Sequence, residues 1–233
     1  MIRLDDRLRC AFHMLQGAKT VADIGCDHGK LTAALLLDGS CDRVIAGDIS
    51  LDCLNKTREI IERHGLQEQS ETRLGSGFSV LSPGECDAAA LLGMGGELMA
   101  ELLETSPEVA ERMERLVLQP MSGIEELRQW LYEHSYHVME DHLVMVGSRW
   151  YQLLSVKKAD GQDPWPGGFP EDCFLVGYRS FMERDKLLGP YCKALLKKRR
   201  DQLQQAAGTA GEGKLSRETG QLEHILKETE GWN

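Results

Sequence analysis

The chain has 233 residues and a formal net charge of -10 at pH 7, with 42% hydrophobic and 27% charged residues. This length is enough to bury a full core, and the composition is that of a folded globular protein, which excludes disordered and fibrous classes. Because no apolar run is long enough to cross a bilayer and residues 1–6 lack the apolar centre of a signal peptide, we expect a cytoplasmic protein without a membrane partner.

Apolar runs alternate with helical patterns between residues 20 and 134. Strands are predicted at 20–24, 43–49, 71–74, 86–92 and 115–119, and helices at 30–37, 51–64, 97–104 and 123–134. Ser50 is predicted to cap the second of these helices, and Ser122 followed by Glu125 predicts a capping box for the last. Strands that alternate with helices in this way predict βαβ units and a parallel sheet with helices on both faces.

Two further strand patterns, at 136–146 and 150–157, are separated only by Gly147-Ser148-Arg149. Such a short connection that contains glycine predicts a β-hairpin. A parallel sheet that ends in an antiparallel hairpin is typical of class I methyltransferases and is less expected of a dinucleotide-binding domain. The predicted fold class is therefore α/β, a Rossmann-like class I methyltransferase sheet with a terminal antiparallel hairpin.

A Pro/Gly-rich stretch at 159–170 predicts a domain boundary. Beyond it, leucines recur at helical spacing on both sides of a glycine-containing loop at 206–213, which predicts a small helical hairpin of coiled-coil character. We therefore predict a Rossmann-like domain at 1–158, a linker at 159–172 and a helical tail at 173–233. The tail carries a basic cluster, formed by Lys193, Lys197, Lys198, Arg199 and Arg200. On an acidic chain this cluster is either a local RNA-docking patch or a solvated helix face.

The segment Val21-Ala22-Asp23-Ile24-Gly25-Cys26-Asp27-His28-Gly29-Lys30 predicts a strand, a glycine turn and a helix in that order. This arrangement lets the backbone approach a nucleotide cofactor closely. A dinucleotide fingerprint would be G-x-G-x-x-G, whereas the order here is Asp-x-Gly-x-Asp-x-Gly, with Lys30 in place of the last glycine. An acid two residues before the first glycine suits the methionine ammonium of S-adenosylmethionine. We therefore predict cofactor binding by Asp23, Gly25 and Cys26, the first two at the methionine moiety.

Other candidate cofactor residues follow the next predicted strands. Asp48 ends the second strand, where an acid accepts hydrogen bonds from both ribose hydroxyls, and Ile49 is its neighbour. NAD and S-adenosylmethionine share that ribose, so Asp48 and Ile49 are compatible with either cofactor. After the third strand come Ser76 and Gly77, at the usual place of adenosine-binding side chains, although an ordinary glycine turn explains them as well. Bare backbone at the end of the fourth strand predicts contact with a flat group, cofactor or target base, at Gly93 and Gly95.

Three residues are candidates for the chemistry of methyl transfer. The carboxylate of Asp27 would stabilise positive charge that develops on a methylated base. His28 either contacts a substrate phosphate or base, or bonds only its own backbone. Met94 either touches the target base or belongs to the core. No paired base supports Cys26 as a nucleophile, and the seven scattered cysteines contain no C-x-x-C pair, which indicates reduced thiols and no metal site.

Together these motifs resemble the bacterial tRNA (adenine-N1) methyltransferase family that modifies adenine 22 of tRNA. The resemblance rests on the loop at 23–28 and on Ala46-Gly47-Asp48-Ile49, Gly93-Met94-Gly95-Gly96 and Leu118-Gln119-Pro120, and it extends to Arg7-Leu8 and to the helical tail. It implies S-adenosyl-L-methionine in the Rossmann cleft, tRNA as the partner, and a tail that helps to hold tRNA. The chain departs from the family pattern at three positions. Lys30 stands where a tyrosine is usual, Ser76 where an acid is usual, and Met121 where an asparagine is usual.

We therefore expect an S-adenosylmethionine-dependent methyltransferase that acts on N1 of an adenine in tRNA, at position 22. Three alternatives stay open. The departures from the family pattern favour a catalytically weak or inactive tRNA-binding protein that retains the cofactor fold, and the acidic charge favours a small-molecule methyltransferase. An NAD oxidoreductase comes last, because the third dinucleotide glycine is missing.

Overall fold

The computed structural model describes residues 2–161 and 173–231. The chain divides into two compact units, Met1–Pro166 and Gly167–Asn233. Most of the predicted linker at 159–172 lies outside the described residues. The limits predicted for the two domains, 1–158 and 173–233, stay predictions.

A seven-stranded sheet forms the centre of the first unit. Its strands are β1 (Thr20–Ile24), β2 (Arg43–Asp48), β3 (Ser70–Leu74), β4 (Ala88–Gly95), β5 (Arg115–Ser122), β6 (Tyr136–Val146) and β7 (Arg149–Lys158). The spatial order is β3-β2-β1-β4-β5-β7-β6, with β1 to β5 parallel and β7 antiparallel to both of its neighbours. The predicted α/β fold, a Rossmann-like sheet that ends in an antiparallel hairpin, is therefore confirmed.

Helices cover both faces of this sheet. They are α1 (Asp6–Met14), α2 (Lys30–Asp38), α3 (Leu51–His64), α4 (Gly96–Thr105), α5 (Pro107–Ala110) and α6 (Ile124–Glu133), together with short 3-10 turns at Gln67–Gln69 and Gly77–Val80. On one face, Val21 and Val117 join a core with residues of α1 and α2. Their strand neighbours Ala22 and Leu118, which point the other way, are also fully buried. Central parallel strands that are apolar on both sides need exactly such a double cover of helices.

The two predicted helix caps had different outcomes. Ser50 caps α3, since its hydroxyl accepts the N–H of Cys53 at 3.3 Å, as predicted. The capping box of Ser122 was wrong: Ser122 still belongs to β5, where it pairs with Gly95, and the N-cap of α6 is Gly123. Because the ladder continues to the last residue of β5, the connection to α6 is a single residue with φ of 67°, a conformation that glycine adopts without strain.

The first helix, α1, was not predicted, although it reaches the candidate site described below. Asp5 caps it by accepting the N–H of Leu8 at 2.8 Å, and Ala11 and Phe12 are buried. The signals were present in the sequence: an N-cap acid followed by apolar residues at helical spacing, Leu4, Leu8, Phe12 and Leu15.

The second unit contains α7 (Tyr178–Met182), α8 (Leu188–Gln205) and α9 (Glu212–Thr229). Helices α8 and α9 pack against each other, which confirms the predicted helical hairpin; its coiled-coil character stays a prediction. Arg199 pairs with Glu218, and Arg200 pairs with Glu223 at 2.7 Å. Two of the five residues in the basic cluster therefore form ion pairs with acids of α9. No helix among the described residues is long and apolar enough to cross a membrane.

Candidate active site

The loop that follows β1, the end of β4 and the start of α1 line a cavity of about 410 Å³ at the carboxyl edge of the sheet, the edge where open α/β sheets bind ligands. A volume of this order suits a small-molecule site. Seven of the residues predicted from the sequence line it: Asp23, Gly25, Cys26, Asp27, His28, Gly93 and Met94. Two motifs far apart in the sequence therefore meet in one cleft.

Gly25 makes the close turn at the end of β1. Its φ is +74°, and its N–H donates to the carbonyl oxygen of Gly47 at 2.8 Å, while the N–H of Cys26 donates to the same oxygen at 3.2 Å. A Cβ at this position would lie 2.5 Å from the terminal methyl carbon of Met94. The left-handed backbone therefore favours glycine here, and a larger residue would also have to displace the flexible side chain of Met94.

Asp48 is held at the end of β2 by two backbone donors. Its Oδ1 accepts the N–H of Ser50 at 2.8 Å, and its Oδ2 accepts the N–H of Asp27 at 3.3 Å. Because an ionised carboxylate has about four acceptor sites, each oxygen keeps capacity for a further donor. The carboxylate is thus oriented, and it is able to accept two hydroxyl groups side by side.

The carboxylate of Asp27 contacts Nδ1 of the His28 imidazole, and both side chains are more than half exposed. Asp27 has a φ of +50°, which is uncommon for a residue with a side chain, and its N–H donates to Asp48. The same hydrogen bond that orients Asp48 therefore helps to fix the loop that carries two of the three predicted catalytic side chains, Asp27 and His28.

Asp23 is a buried acid with a single hydrogen-bonding side chain beside it. Only 4% of the residue is exposed, and the hydroxyl of Thr32 donates to its Oδ2 at 2.7 Å. Burial raises the pKa of Asp23 to about 6, and the hydrogen bond from Thr32 opposes this shift. A carboxyl group in this state binds a cation favourably, because the cation stabilises its ionised form.

Cys26 is also buried, and its Sγ lies 3.3 Å from the hydroxyl oxygen of Thr57. Burial raises the pKa of the Cys26 thiol to about 12, so the thiol stays protonated at neutral pH. A protonated thiol is a poor nucleophile, which agrees with the absence of a nucleophilic role in the sequence-based interpretation.

Five predicted residues do not line the cavity: Asp48, Ile49, Ser76, Gly77 and Gly95. Asp48 is linked to it through Asp27. Ile49 is 76% exposed, an unusual position for a large apolar side chain beside a cleft. A Cβ on Gly77 would lie 2.3 Å from a methyl carbon of Leu102, so packing against α4 accounts for this glycine. Gly96, the last of the three clustered glycines, is likewise explained without a ligand, because a Cβ there would lie 2.1 Å from the carbonyl oxygen of Gly123.

Other cavity residues were not assigned to the cofactor site from the sequence. They come from α1 and its N-cap, from the first turn of α2 and from β4: Asp5, Arg7, Leu8, Lys30, Leu31 and Leu92. Two signals in the sequence point to Asp5, Arg7 and Leu8: the N-cap and apolar spacing of α1, and the family resemblance at Arg7-Leu8. Within the described residues, no group of three or more His, Cys, Asp or Glu side chains is arranged to hold a metal ion.

The sequence matches the protein family described as "Methyltransferase domain" over residues 4–154. The tRNA (adenine(22)-N(1))-methyltransferase of Bacillus subtilis (strain 168) is 29% identical over 185 residues, which cover 79% of this chain and 77% of that protein. The crystal structure of the B. subtilis M1A22 tRNA methyltransferase TrmK superposes with a TM-score of 0.84 at 26% identity and covers 97% of this chain and 100% of that one. The fold is also that of M. capricolum TrmK in complex with S-adenosyl-homocysteine, with a TM-score of 0.81, 19% identity and coverage of 96% and 98%.

Proposed function

Because the chain belongs to the methyltransferase-domain family and resembles tRNA (adenine(22)-N(1))-methyltransferase over most of its length, we propose that it transfers a methyl group from S-adenosylmethionine to N1 of an adenine in tRNA, at position 22. The observation that carries the proposal is the cavity at the carboxyl edge of the sheet, where the loop after β1 meets the end of β4. As tRNA is the substrate, the proposed location is the cytoplasm.

The residues at this edge fit S-adenosylmethionine. Its ribose needs an acceptor for two adjacent hydroxyls, and the oriented carboxylate of Asp48 offers one. Its methionine ammonium needs an anionic partner, and Asp23 is a buried acid that lines the cavity. We assign the methionine moiety to Asp23, Gly25 and Cys26, and the adenosine to a second group that surrounds the end of β2: Asp48, Ile49, Ser76 and Gly77.

The cofactor supplies a sulfonium-bound methyl group for in-line displacement by the lone pair of adenine N1. Adenine N1 already carries a lone pair and needs no general base. The contribution of the protein is therefore to extrude the base from the tRNA fold and to hold it in line with the methyl group. Proximity and orientation of this kind contribute roughly 7–11 kcal/mol to lowering the barrier, and extrusion costs a few kcal/mol. We assign the face that receives the base to Gly93, Met94 and Gly95.

The methylated adenine is cationic, so the protein has to stabilise positive charge at the base. Asp27 lies in the cavity with its carboxylate exposed, and the attached His28 limits how far that carboxylate can turn. We propose that Asp27 stabilises the developing charge electrostatically, and that His28 contacts the nucleotide that carries the base.

We propose that the helical hairpin of the second unit contributes to tRNA binding. Arg199 and Arg200 are paired with acids of α9, so we assign the contact to the exposed lysines of α8 that have no ion-pair partner among the described residues, Lys193, Lys197 and Lys198. Three ammonium groups on one stretch of helix are able to replace counterions along a phosphate backbone.

The decisive experiment incubates the protein with unmodified tRNA and methyl-labelled S-adenosylmethionine, followed by nucleoside mass spectrometry. We expect labelled 1-methyladenosine, and loss of the label in a matched tRNA with guanine at position 22. The Asp48→Ala variant serves as the protein control. Cofactor binding without transfer to any RNA would instead favour the inactive tRNA-binding protein, and turnover that total tRNA does not inhibit would favour a small-molecule methyltransferase.

A further inference from the structure

The loop between β1 and α2 follows an unusual backbone path. Three of its five residues, Gly25, Asp27 and Gly29, have positive φ angles of 74°, 50° and 64°. Glycine adopts this conformation without strain, whereas a residue with a side chain keeps it only where the surrounding structure holds it. Contacts from outside the loop therefore have to hold the backbone at Asp27.

Helix α3 supplies such contacts at Thr57, whose side chain is completely buried. A Cβ added to Gly29 would lie 2.7 Å from Cγ2 of Thr57 and 3.0 Å from its Cα. Because the second of these atoms belongs to the backbone of the helix, it cannot move aside. The loop therefore rests on α3 at Thr57 as closely as a glycine permits.

The hydroxyl of Thr57 is buried at the same contact. It donates to the carbonyl oxygen of Asp27 in a long hydrogen bond of 3.4 Å, and its oxygen lies 3.3 Å from Sγ of Cys26. A hydroxyl has a single hydrogen, so the thiol of Cys26, which stays protonated at neutral pH, donates to the threonine oxygen. A threonine inside a helix commonly bonds a carbonyl of its own helix, whereas Thr57 bonds the loop.

Asp27 is thus held on both sides of its backbone. Asp48 accepts its N–H at 3.3 Å, and Thr57 donates to its carbonyl oxygen. Because both peptide groups that flank Asp27 are oriented, the direction in which its side chain leaves the backbone is fixed as well. Asp27 and His28 line the cavity, but Thr57 is not among the described residues that line it. Thr57 is therefore able to orient the loop without touching a ligand in the cavity.

We propose that Thr57 is a positioning residue, whose buried hydroxyl holds the carbonyl of Asp27 so that the side chains of Asp27 and His28 face the substrate nucleotide. This inference rests on the proposed function, since the role of these two side chains in methyl transfer is itself proposed there. A misplacement of about 1 Å that starts outside the reacting groups is enough to slow a reaction by about 100-fold. The hydroxyl of Thr57 therefore affects the rate of transfer more than the binding of the cofactor.

The test measures methyl transfer to unmodified tRNA by Thr57→Val, which keeps the branched shape against Gly29 but has no hydroxyl. We expect kcat to fall about 10- to 100-fold, while calorimetry shows the same affinity for S-adenosylmethionine as in the intact protein. Thr57→Ser, which restores the hydroxyl, should recover most of kcat. If Thr57→Val folds poorly, Thr57→Ser and Thr57→Ala become the deciding pair, because these two variants differ only in the hydroxyl.

Thr72→Val is the matched control. Thr72 lies on β3, and its hydroxyl also bonds α3, where it accepts Nε–H of Arg58 at 2.8 Å. Its loss should lower stability without changing kcat. A second measurement combines Thr57→Val with Asp27→Ala. Because Thr57 acts through the loop, its replacement should lower kcat little further once the carboxylate that it positions is absent.

Four results overturn the proposal. They are an unchanged kcat in Thr57→Val, an equal loss of kcat in Thr57→Ser, a fall in affinity for S-adenosylmethionine by the same factor as kcat, and an effect of Thr57→Val that is as large in the Asp27→Ala protein as in the intact one. An intact protein that binds S-adenosylmethionine but methylates no tRNA would instead overturn the proposed function, and this inference with it.

Discussion

Asp23→Asn is expected to stabilise the ligand-free protein at neutral pH while weakening its binding of S-adenosylmethionine. Burial places the pKa of Asp23 at about 6, about two pH units above the ordinary value of 3.8. At 1.36 kcal/mol per unit, the ionised side chain costs the native state about 3 kcal/mol at neutral pH. Asparagine removes this charge and keeps an oxygen that can accept the hydroxyl of Thr32.

The sign of the pH dependence follows from proton binding. Between pH 3.8 and about 6 the native state holds the Asp23 proton more tightly than the unfolded state does, so the free energy of unfolding falls as pH rises through this window. The side chain of Asp23→Asn does not titrate, so the free energy of unfolding of this variant does not fall for this reason in the same pH window. The stabilisation by Asp23→Asn should therefore be about 3 kcal/mol at pH 7.5 and about half as large at pH 5, where the wild-type side chain is still largely protonated.

Urea-induced unfolding of both proteins at pH 5.0 and 7.5 measures this difference, and calorimetry should show at least tenfold weaker binding of S-adenosylmethionine. Asp42→Asn is the control, because Asp42 is an exposed acid of the same unit and its replacement should change stability by less than about 0.5 kcal/mol at either pH. A gain of equal size at both pH values, or a loss of stability at pH 7.5, would refute the account of Asp23 as a strained buried charge.

Three further predictions concern other parts of the proposed machinery. Asp48→Ala should weaken S-adenosylmethionine binding at least tenfold by calorimetry with little change in melting temperature, and unchanged affinity would exclude the ribose assignment. Gly25→Ala should weaken cofactor binding, because a φ of +74° strains alanine and its Cβ, 2.5 Å from the terminal methyl carbon of Met94, would push that side chain aside in the cavity. Gly65→Ala has a similar φ of +68° but no atom within 4 Å of the added Cβ, so it should bind normally. Neutralising the exposed lysines Lys193, Lys197 and Lys198 should lower tRNA affinity and reduce the number of released counterions by up to three, whereas neutralising the ion-paired Arg199 and Arg200 should lower stability. Filter binding at several salt concentrations measures the number of counterions. An unchanged dependence of affinity on salt in the lysine variant would show that these lysines only face solvent.

The sequence-based prediction succeeded where the signal is local. The bounds of β1 and α3 agree with the structure residue for residue, because a continuous apolar run and an N-cap serine define them without help from the rest of the chain. The glycine turn at Gly25 and the hairpin were also predicted correctly; β6 has the predicted bounds, and β7 is one residue longer at each end than predicted. Strand ends were less accurate: β4 and β5 both continue past the predicted ends, since pairing between Gly95 and Ser122 extends the ladder into residues with weak strand preference.

What could not be predicted depends on contacts between distant residues. Nothing near Arg7 in the sequence reveals that it bonds Gln119, 112 positions away, and enters the cleft. The clustered glycines after β4 predicted a ligand, yet Gly96 faces the backbone of Gly123, a contact that exists only once α4 and α6 lie side by side. Likewise, Arg199 belongs to a basic cluster in the sequence but to an ion pair in the hairpin.

The distribution of charge along the chain is consistent with the proposed action of an acidic protein on RNA. All of the negative net charge lies in the first unit, which carries -11, because residues 167–233 contain 10 acidic and 11 basic residues. Methyl transfer from a sulfonium to adenine N1 moves a positive charge from cofactor to base without removing it. Three acids line the cavity, Asp5, Asp23 and Asp27, beside the two bases Arg7 and Lys30. Acids that lie next to the cationic centre stabilise it on both sides of the reaction. The attraction for phosphate has to come from other residues, and the exposed lysines of α8 are the ones that we propose for it.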